Sequence, residues 1–135
     1  MHVLFDTNVV LDVLLDRDPF AEVATQLFSK VEYGEIQGYV AAITINNLFY
    51  IIRKVKDRDL AYNAVQRILT AMHICPVNRR TLEKALNLNY KDFEDAIQLV
   101  CALENNLDII VTRNIQDFGK SDIRIVSPTE LIADL

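Results

Sequence analysis

The chain has 135 residues, the size of one ordinary domain, and 51% of them are hydrophobic, enough for a sizeable core. Three glycines and three prolines argue against long disordered tracts, and no apolar run reaches the roughly 18–20 residues of a membrane span. The net charge of −5 lacks the basic footprint of a protein that grips nucleic acid by itself; it favours metal cations or a basic partner. Met1 to Asp6 carries neither the basic segment nor the long apolar stretch of a secretion signal, so a cytoplasmic protein is expected. Cys75 and Cys101 lie in apolar runs and read as buried free thiols. His73 and Cys75 alternate at strand spacing, but two ligands do not make a zinc site.

His2 to Phe5 is a short apolar run that ends at an acid and reads as a buried central strand. A helix over about Asn8 to Leu15 follows. Asp18-Pro19 has the form of a helix start, with an N-cap acceptor followed by proline at the first helical position. That helix places Phe20, Val23, Ala24, Leu27, Phe28 and Val31 at helical spacing and stops near Gly34. Gly38 to Ala42 reads as a second strand. Thr44 is expected to cap a helix with Ile45, Leu48, Phe49 and Ile52 inward and Asn46, Tyr50, Arg53 and Lys54 outward. Asp57 opens a helix to Ala71, with Leu60, Ala64, Ile68 and Leu69 expected inward.

Ile74 to Val77 is the third strand and Thr81 to Leu88 a short helix. Asp92 caps a helix to about Asn106 that is apolar around much of its girth and so largely buried. Leu107 to Thr112 and Ile123 to Val126 are the last strands, and Pro128 begins a final helix. Short β-rich runs alternating with helices indicate an α/β domain with a mainly parallel sheet, and no linker or repeat divides residues 1–135.

Three acids stand where such a sheet opens. Asp6 ends the first strand, Asp95 lies in the first turn of the buried helix, and Asp117 follows the fourth strand. Parallel α/β sheets bind ligands beyond the carboxyl ends of their strands. Carboxylates converging there repel one another unless a divalent cation joins them, and oxygen ligands suit Mg²⁺ or Mn²⁺. Each acid also has a structural alternative. Asp6 could cap the helix after it, Asp95 could complete a capping box with Asp92, and Asp117 sits in a turn-like segment where Asp is common.

The segment Leu4-Phe5-Asp6-Thr7-Asn8-Val9-Val10-Leu11-Asp12 resembles the opening motif of PIN domains. Asp92-Phe93-Glu94-Asp95-Ala96 resembles their central acidic motif. Val111-Thr112-Arg113-Asn114, followed by Asp117-Phe118, is similar to their closing motif. The motifs occur in the family's order and span essentially the whole chain, and the toxin-type members of toxin–antitoxin pairs are the most similar in kind. The resemblance implies a three-layer α/β/α fold around a mainly parallel sheet of four to five strands. It implies Mg²⁺- or Mn²⁺-dependent endoribonuclease activity, with Asp6, Asp95 and Asp117 as metal-binding, catalytic carboxylates. Asn114 stands where many members have an acid, so it or Asp117 would supply the last ligand. Thr7, Asn8 and Thr112 would line the pocket, with turn and cap hydrogen bonding as their structural alternative, and Asp92, one turn before Asp95, would be auxiliary. A homodimer and an antitoxin partner are further implications.

One departure concerns the helix after the second strand, where members of the family place a glutamate and this chain has Asn47. An amide brings no charge and cannot act as a base. The alternative function is therefore a PIN-fold module that binds RNA or protein with weak or no cleavage. Arg113, beside the expected pocket, is the best single candidate for an RNA phosphate contact. Arg53, Lys54, Lys56 and Arg58 alternate with Asp57 and Asp59 and read as a solvated face. A phospho-acceptor receiver or a DxD phosphatase is disfavoured, because Asp6 has no adjacent acid and Asp6-Thr7-Asn8 lacks the second aspartate.

Overall fold

A computed structural model describes all residues, Met1 to Leu135. The elements in chain order are β1 (His2–Phe5), α1 (Thr7–Leu14), α2 (Ala21–Glu32), β2 (Gln37–Ala41), α3 (Ala42–Val55) and α4 (Arg58–Ala71). There follow β3 (His73–Cys75), α5 (Arg79–Leu88), α6 (Phe93–Glu104), β4 (Ile109–Val111), a 3₁₀ turn (Ile115–Asp117), β5 (Arg124–Val126) and α7 (Pro128–Ala133). The five strands form one sheet in the order β3-β2-β1-β4-β5, and every pairing is parallel.

Alternation along each strand sorts the core into two layers. Val3, Phe5, Val40, Ile109, Val111 and Val126 face one side and pack with residues of α1, α2, α3, α4 and α7. Leu4, Ala41, Cys75 and Ile110 face the other side, against Ala85 of α5 and Ala96, Ile97, Val100 and Cys101 of α6. A sheet covered on both faces needs unbroken apolar runs, which is why Val3-Leu4-Phe5 and Ile109-Ile110-Val111 contain no polar residue. From β1 the chain builds outward to β2 and β3, then crosses back to β4 on the other flank. The strand order thus reverses between β1 and β4, and a crevice opens beyond their carboxyl ends at such a point.

Several local expectations change. Asp18 does not cap α2: the carbonyl of Arg17 accepts from the Phe20 and Ala21 amides, so the turn closes on the backbone and the helix begins at Ala21. Thr44 does not cap α3, which begins at Ala42 and places Thr44, fully buried, in its first turn. Leu60 and Leu69 are exposed, while Ile68 and Ala64 do face the core; the small Ala61, fully buried, takes the inward place expected of Leu60. α5 begins two residues before Thr81, capped by Asn78 in a reciprocal capping box with Thr81. Asp57 and Asp92 do cap their helices, and Ser127 caps the last one, which begins at Pro128 as expected. Both cysteines are free and buried, and burial alone pushes the Cys75 thiol up to about 11; the same cause leads for Cys101, at about 12. His73 is exposed, bonded to Gln37 and packed on the Tyr39 ring, away from buried Cys75.

Candidate active site

Asp6 occupies the N-cap position of α1, and its carbonyl accepts from the Val9 and Val10 amides. Its side chain makes no capping bond. The carboxylate points across the crevice instead. Oδ1 accepts from Gln98 Nε2 at 3.1 Å, and Oδ2 accepts from the Thr112 hydroxyl at 2.7 Å. Asp6 is 3% exposed, while Gln98 and Thr112 are fully buried. Pairing of β1 with β4 sets this contact, because the Asp6 amide donates to the Val111 carbonyl at 3.0 Å and so brings Thr112 alongside.

The amino end of α6 faces Asp6 and carries three acids in four residues. Asp92 does the capping: its Oδ1 accepts from the Glu94 amide at 2.9 Å. No capping box forms with Asp95, whose side chain is buried at 7% exposure. Burial, and then the negative charges of Asp6, Asp92, Asp117 and Glu94, push the Asp95 carboxyl up to about 7. Burial also raises Glu94, with Asp6 and Asp92 adding to the rise and hydrogen bonds from Asn47 and Thr7 opposing it. The positive end of the α6 dipole favours these carboxylates, but by only about 0.3–1 kcal/mol each in exposed settings. Asp117 ends the 3₁₀ turn and, with Lys91, Asp92, Phe93 and Gln116, lines an open hollow of about 720 Å³.

Asp6, Asp92, Glu94, Asp95 and Asp117 therefore share one region of negative potential, and none of them forms an ion pair with a Lys, Arg or His of the chain. As the side chains stand, no three His, Cys, Asp or Glu groups surround a common point. Like charges without a counter-ion stay apart, and the donor set suits a hard divalent cation: oxygen ligands, a surplus of negative charge and a water-accessible mouth. A further mark of an unfinished site is Gln98 Oε1, a buried acceptor with no partner, on the amide that donates to Asp6.

The remaining pocket residues divide. The Thr7 hydroxyl bonds that of Thr44 at 3.1 Å, and Asn47 Nδ2 donates to Glu94 Oε2. Thr112 accepts from the Asn114 amide at 3.0 Å while donating to Asp6, so it ties the strand end to the turn. Asn8 contributes its carbonyl to Arg17. Asn114 borders a different hollow, of about 380 Å³, beside Phe20, Arg113 and Ser127. Arg113 has a partner inside the chain. Its Nε lies 2.9 Å from Asp12 Oδ2, and its guanidinium stacks 3.9 Å from the centre of the Phe20 ring. Arg17 reaches the same carboxylate at 2.8 Å, so fully buried Asp12 holds two arginines.

Comparison with known proteins places this geometry in a family. The model of the PIN domain matches residues 2–116, most of the chain. The chain belongs to the PIN domain family. Ribonuclease VapC1 of Aquifex aeolicus is 24% identical to this PIN domain over 133 residues, covering 95% of the chain and 91% of the relative. A solved toxin–antitoxin complex from Klebsiella pneumoniae contains a chain 26% identical, with a TM-score of 0.70 over 93% of this chain and 97% of that one. VapBC-1 from nontypeable Haemophilus influenzae is similar in fold, with a TM-score of 0.73 at 14% identity over 96% and 99% of the two chains. The observed α/β/α layering around five parallel strands agrees with the fold of these relatives.

Three residues of this PIN domain's interior escaped the reading of its sequence. Gln98 had a signal: it is the one polar side chain in the apolar run Ala96 to Ala102, four residues after Glu94 and three after Asp95. Asp12 had a similar one, an acid on the buried face of an apolar helix. Glu94 had none beyond standing next to Asp95.

Proposed function

We propose that this PIN domain is a Mg²⁺- or Mn²⁺-dependent endoribonuclease, the toxin of a toxin–antitoxin pair. The observation that carries the reading is the buried Asp6 carboxylate, held by Gln98 and Thr112 at the switch point of the sheet. It faces the acids at the amino end of α6, none of which is in an ion pair. Uncompensated buried charge is costly and persists where something else neutralises it. Ribonuclease VapC1 and the toxin–antitoxin complexes among the relatives support the substrate class and the partner.

In this reading Asp6, Asp95 and Asp117 hold the cation, Asp92 stands beside them, and Thr112 and Gln98 fix the Asp6 carboxylate. Such an ion, when bound, supplies acidification of water and neutralisation of charge on a phosphodiester. The open hollow at Asp92 and Asp117 admits the RNA strand, with Lys91 at its rim able to meet a phosphate. Neither histidine lies in this region, so no imidazole serves as a base. RNA as substrate, an antitoxin over the mouth, self-association and a cytoplasmic place of action belong to the same proposal. No helix is long and apolar enough to cross a membrane.

The rival reading, binding without cleavage, is favoured by Asn47 in the glutamate position and by the absence of a finished ligand cage. Incubating mixed-sequence RNA with Mn²⁺ and either the natural chain or Asp6→Asn separates the two. Cleavage that Asp6→Asn abolishes supports the nuclease; equal cleavage by both proteins, or none by either, rejects it.

A further inference from the structure

Asn47 removes a charge from α3, yet the position it leaves is not without an acid. Its amide Nδ2 donates to Oε2 of Glu94, which reaches over from the first turn of α6. Glu94 is half-buried, adjoins Asp95 in the chain, and makes no ion pair. Thr7, the residue after Asp6, is near enough to favour the charged form of Glu94, so that carboxylate lies close to both α1 and α3 as well as its own α6. One helical turn farther along α6, Gln98 keeps a buried, unpartnered carbonyl oxygen while its amide holds Asp6.

We infer that Glu94 supplies the carboxylate that α3 lacks: it is a ligand-bearing acid of the site, and Asn47 is the amide that positions it. This rests on the metal-dependent reading above. Chemistry favours the pairing. An Asn side chain offers donors to a neighbouring carboxylate, whereas a glutamate at position 47 would bring a second negative charge against Glu94 in a half-buried place. Asn47 and Glu94 thus form a matched pair, an amide donor on α3 meeting a carboxylate on α6.

Exchange of the two groups tests this. Calorimetric titration with Mn²⁺ alone, and thermal unfolding without metal, would be run on the full chain and on Glu94→Gln, Asn47→Glu, the double variant and Asp6→Asn. Glu94→Gln keeps an acceptor for Asn47, so it is expected to leave the metal-free unfolding midpoint level or higher while weakening Mn²⁺ binding by at least about tenfold. Asn47→Glu alone is expected to lower the metal-free midpoint by setting two carboxylates together. Asn47→Glu with Glu94→Gln returns one acid to the pair and is expected to restore Mn²⁺ affinity to within about threefold of the natural chain. If Mn²⁺ binds and Asp6→Asn abolishes binding while Glu94→Gln leaves it unchanged, the inference fails and the nuclease reading stands. A double variant that binds no better than Glu94→Gln also overturns it. If the natural chain takes up no Mn²⁺, both readings fall.

Discussion

Replacing Asp95 by Asn removes one charge from the buried group without changing its size, and the structure sets the sign of the result. In the folded protein the Asp95 carboxyl is pushed from 3.8 to about 7, first by burial and then by Asp6, Asp92, Asp117 and Glu94. At about 1.4 kcal/mol per pH unit, ionising it costs the metal-free fold up to about 4 kcal/mol. Against this stands the favourable interaction of a carboxylate with the amino end of α6, about 0.3–1 kcal/mol, so repulsion and burial win. The folded state holds this proton more tightly than the unfolded chain. Stability from Asp95 is therefore fully present below about pH 4 and is lost as pH rises towards about 7. Urea unfolding of metal-free protein at pH 8 should accordingly find Asp95→Asn more stable than the natural chain, by up to about 3 kcal/mol. For a chain of this length that is up to about 10 °C in unfolding midpoint. At pH 4 the advantage should largely vanish. An Asp95→Asn protein less stable than the natural chain at pH 8 would refute the reasoning.

The same ionisation governs metal uptake, since a carboxylate must lose its proton to bind a cation. Mn²⁺ affinity should fall by about tenfold per pH unit below about pH 7, read by calorimetry between pH 5.5 and 8. Gly38→Ala should destabilise by about 1–3 kcal/mol in urea unfolding. Its new Cβ would lie 2.9 Å and 3.0 Å from the two methyl carbons of Val31, a β-branched residue locked in one rotamer on α2. Asp12→Ala should cost about 2–3 kcal/mol in the same assay, because two arginines lose a fully buried partner; the full penalty of a buried pair is larger, but both guanidinium groups retain some contact with water.

The fold was legible because period-2 and period-3.6 patterns alternate along the chain and because a doubly covered sheet demands unbroken apolar strands such as Ile109-Ile110-Val111. Helix starts were legible at Asp57 and Asp92, whose side chains cap, and at Pro128; the start of α2, where the Arg17 backbone closes the turn, and that of α5, where Asn78 caps two residues earlier than Thr81 suggested, were not. On α4 the inward Ile68 was legible, but Leu60 was misjudged because it outranks Ala61 in hydrophobicity, while close packing of two helices selects the small residue. At the site, position along the chain picked out Asp6 and Asp95, since strand ends and helix first turns have known places in a parallel sheet. Position could not reveal what the side chains do on arrival. Asp6 caps nothing, Arg113 is engaged by Asp12, and Glu94 meets Asn47 across 47 residues of sequence. Such contacts depend on tertiary approach, which local spacing does not encode.

The account turns on carboxylates from separate elements serving one cation, and metal-binding calorimetry addresses that without reference to any RNA. Titrating Mn²⁺ into the natural chain at pH 8 should give saturable binding that Asp6→Asn and Asp95→Asn each abolish or greatly weaken, with both variants still folded by circular dichroism. Heat indistinguishable from dilution in the natural chain, or undiminished binding in both variants, would contradict it.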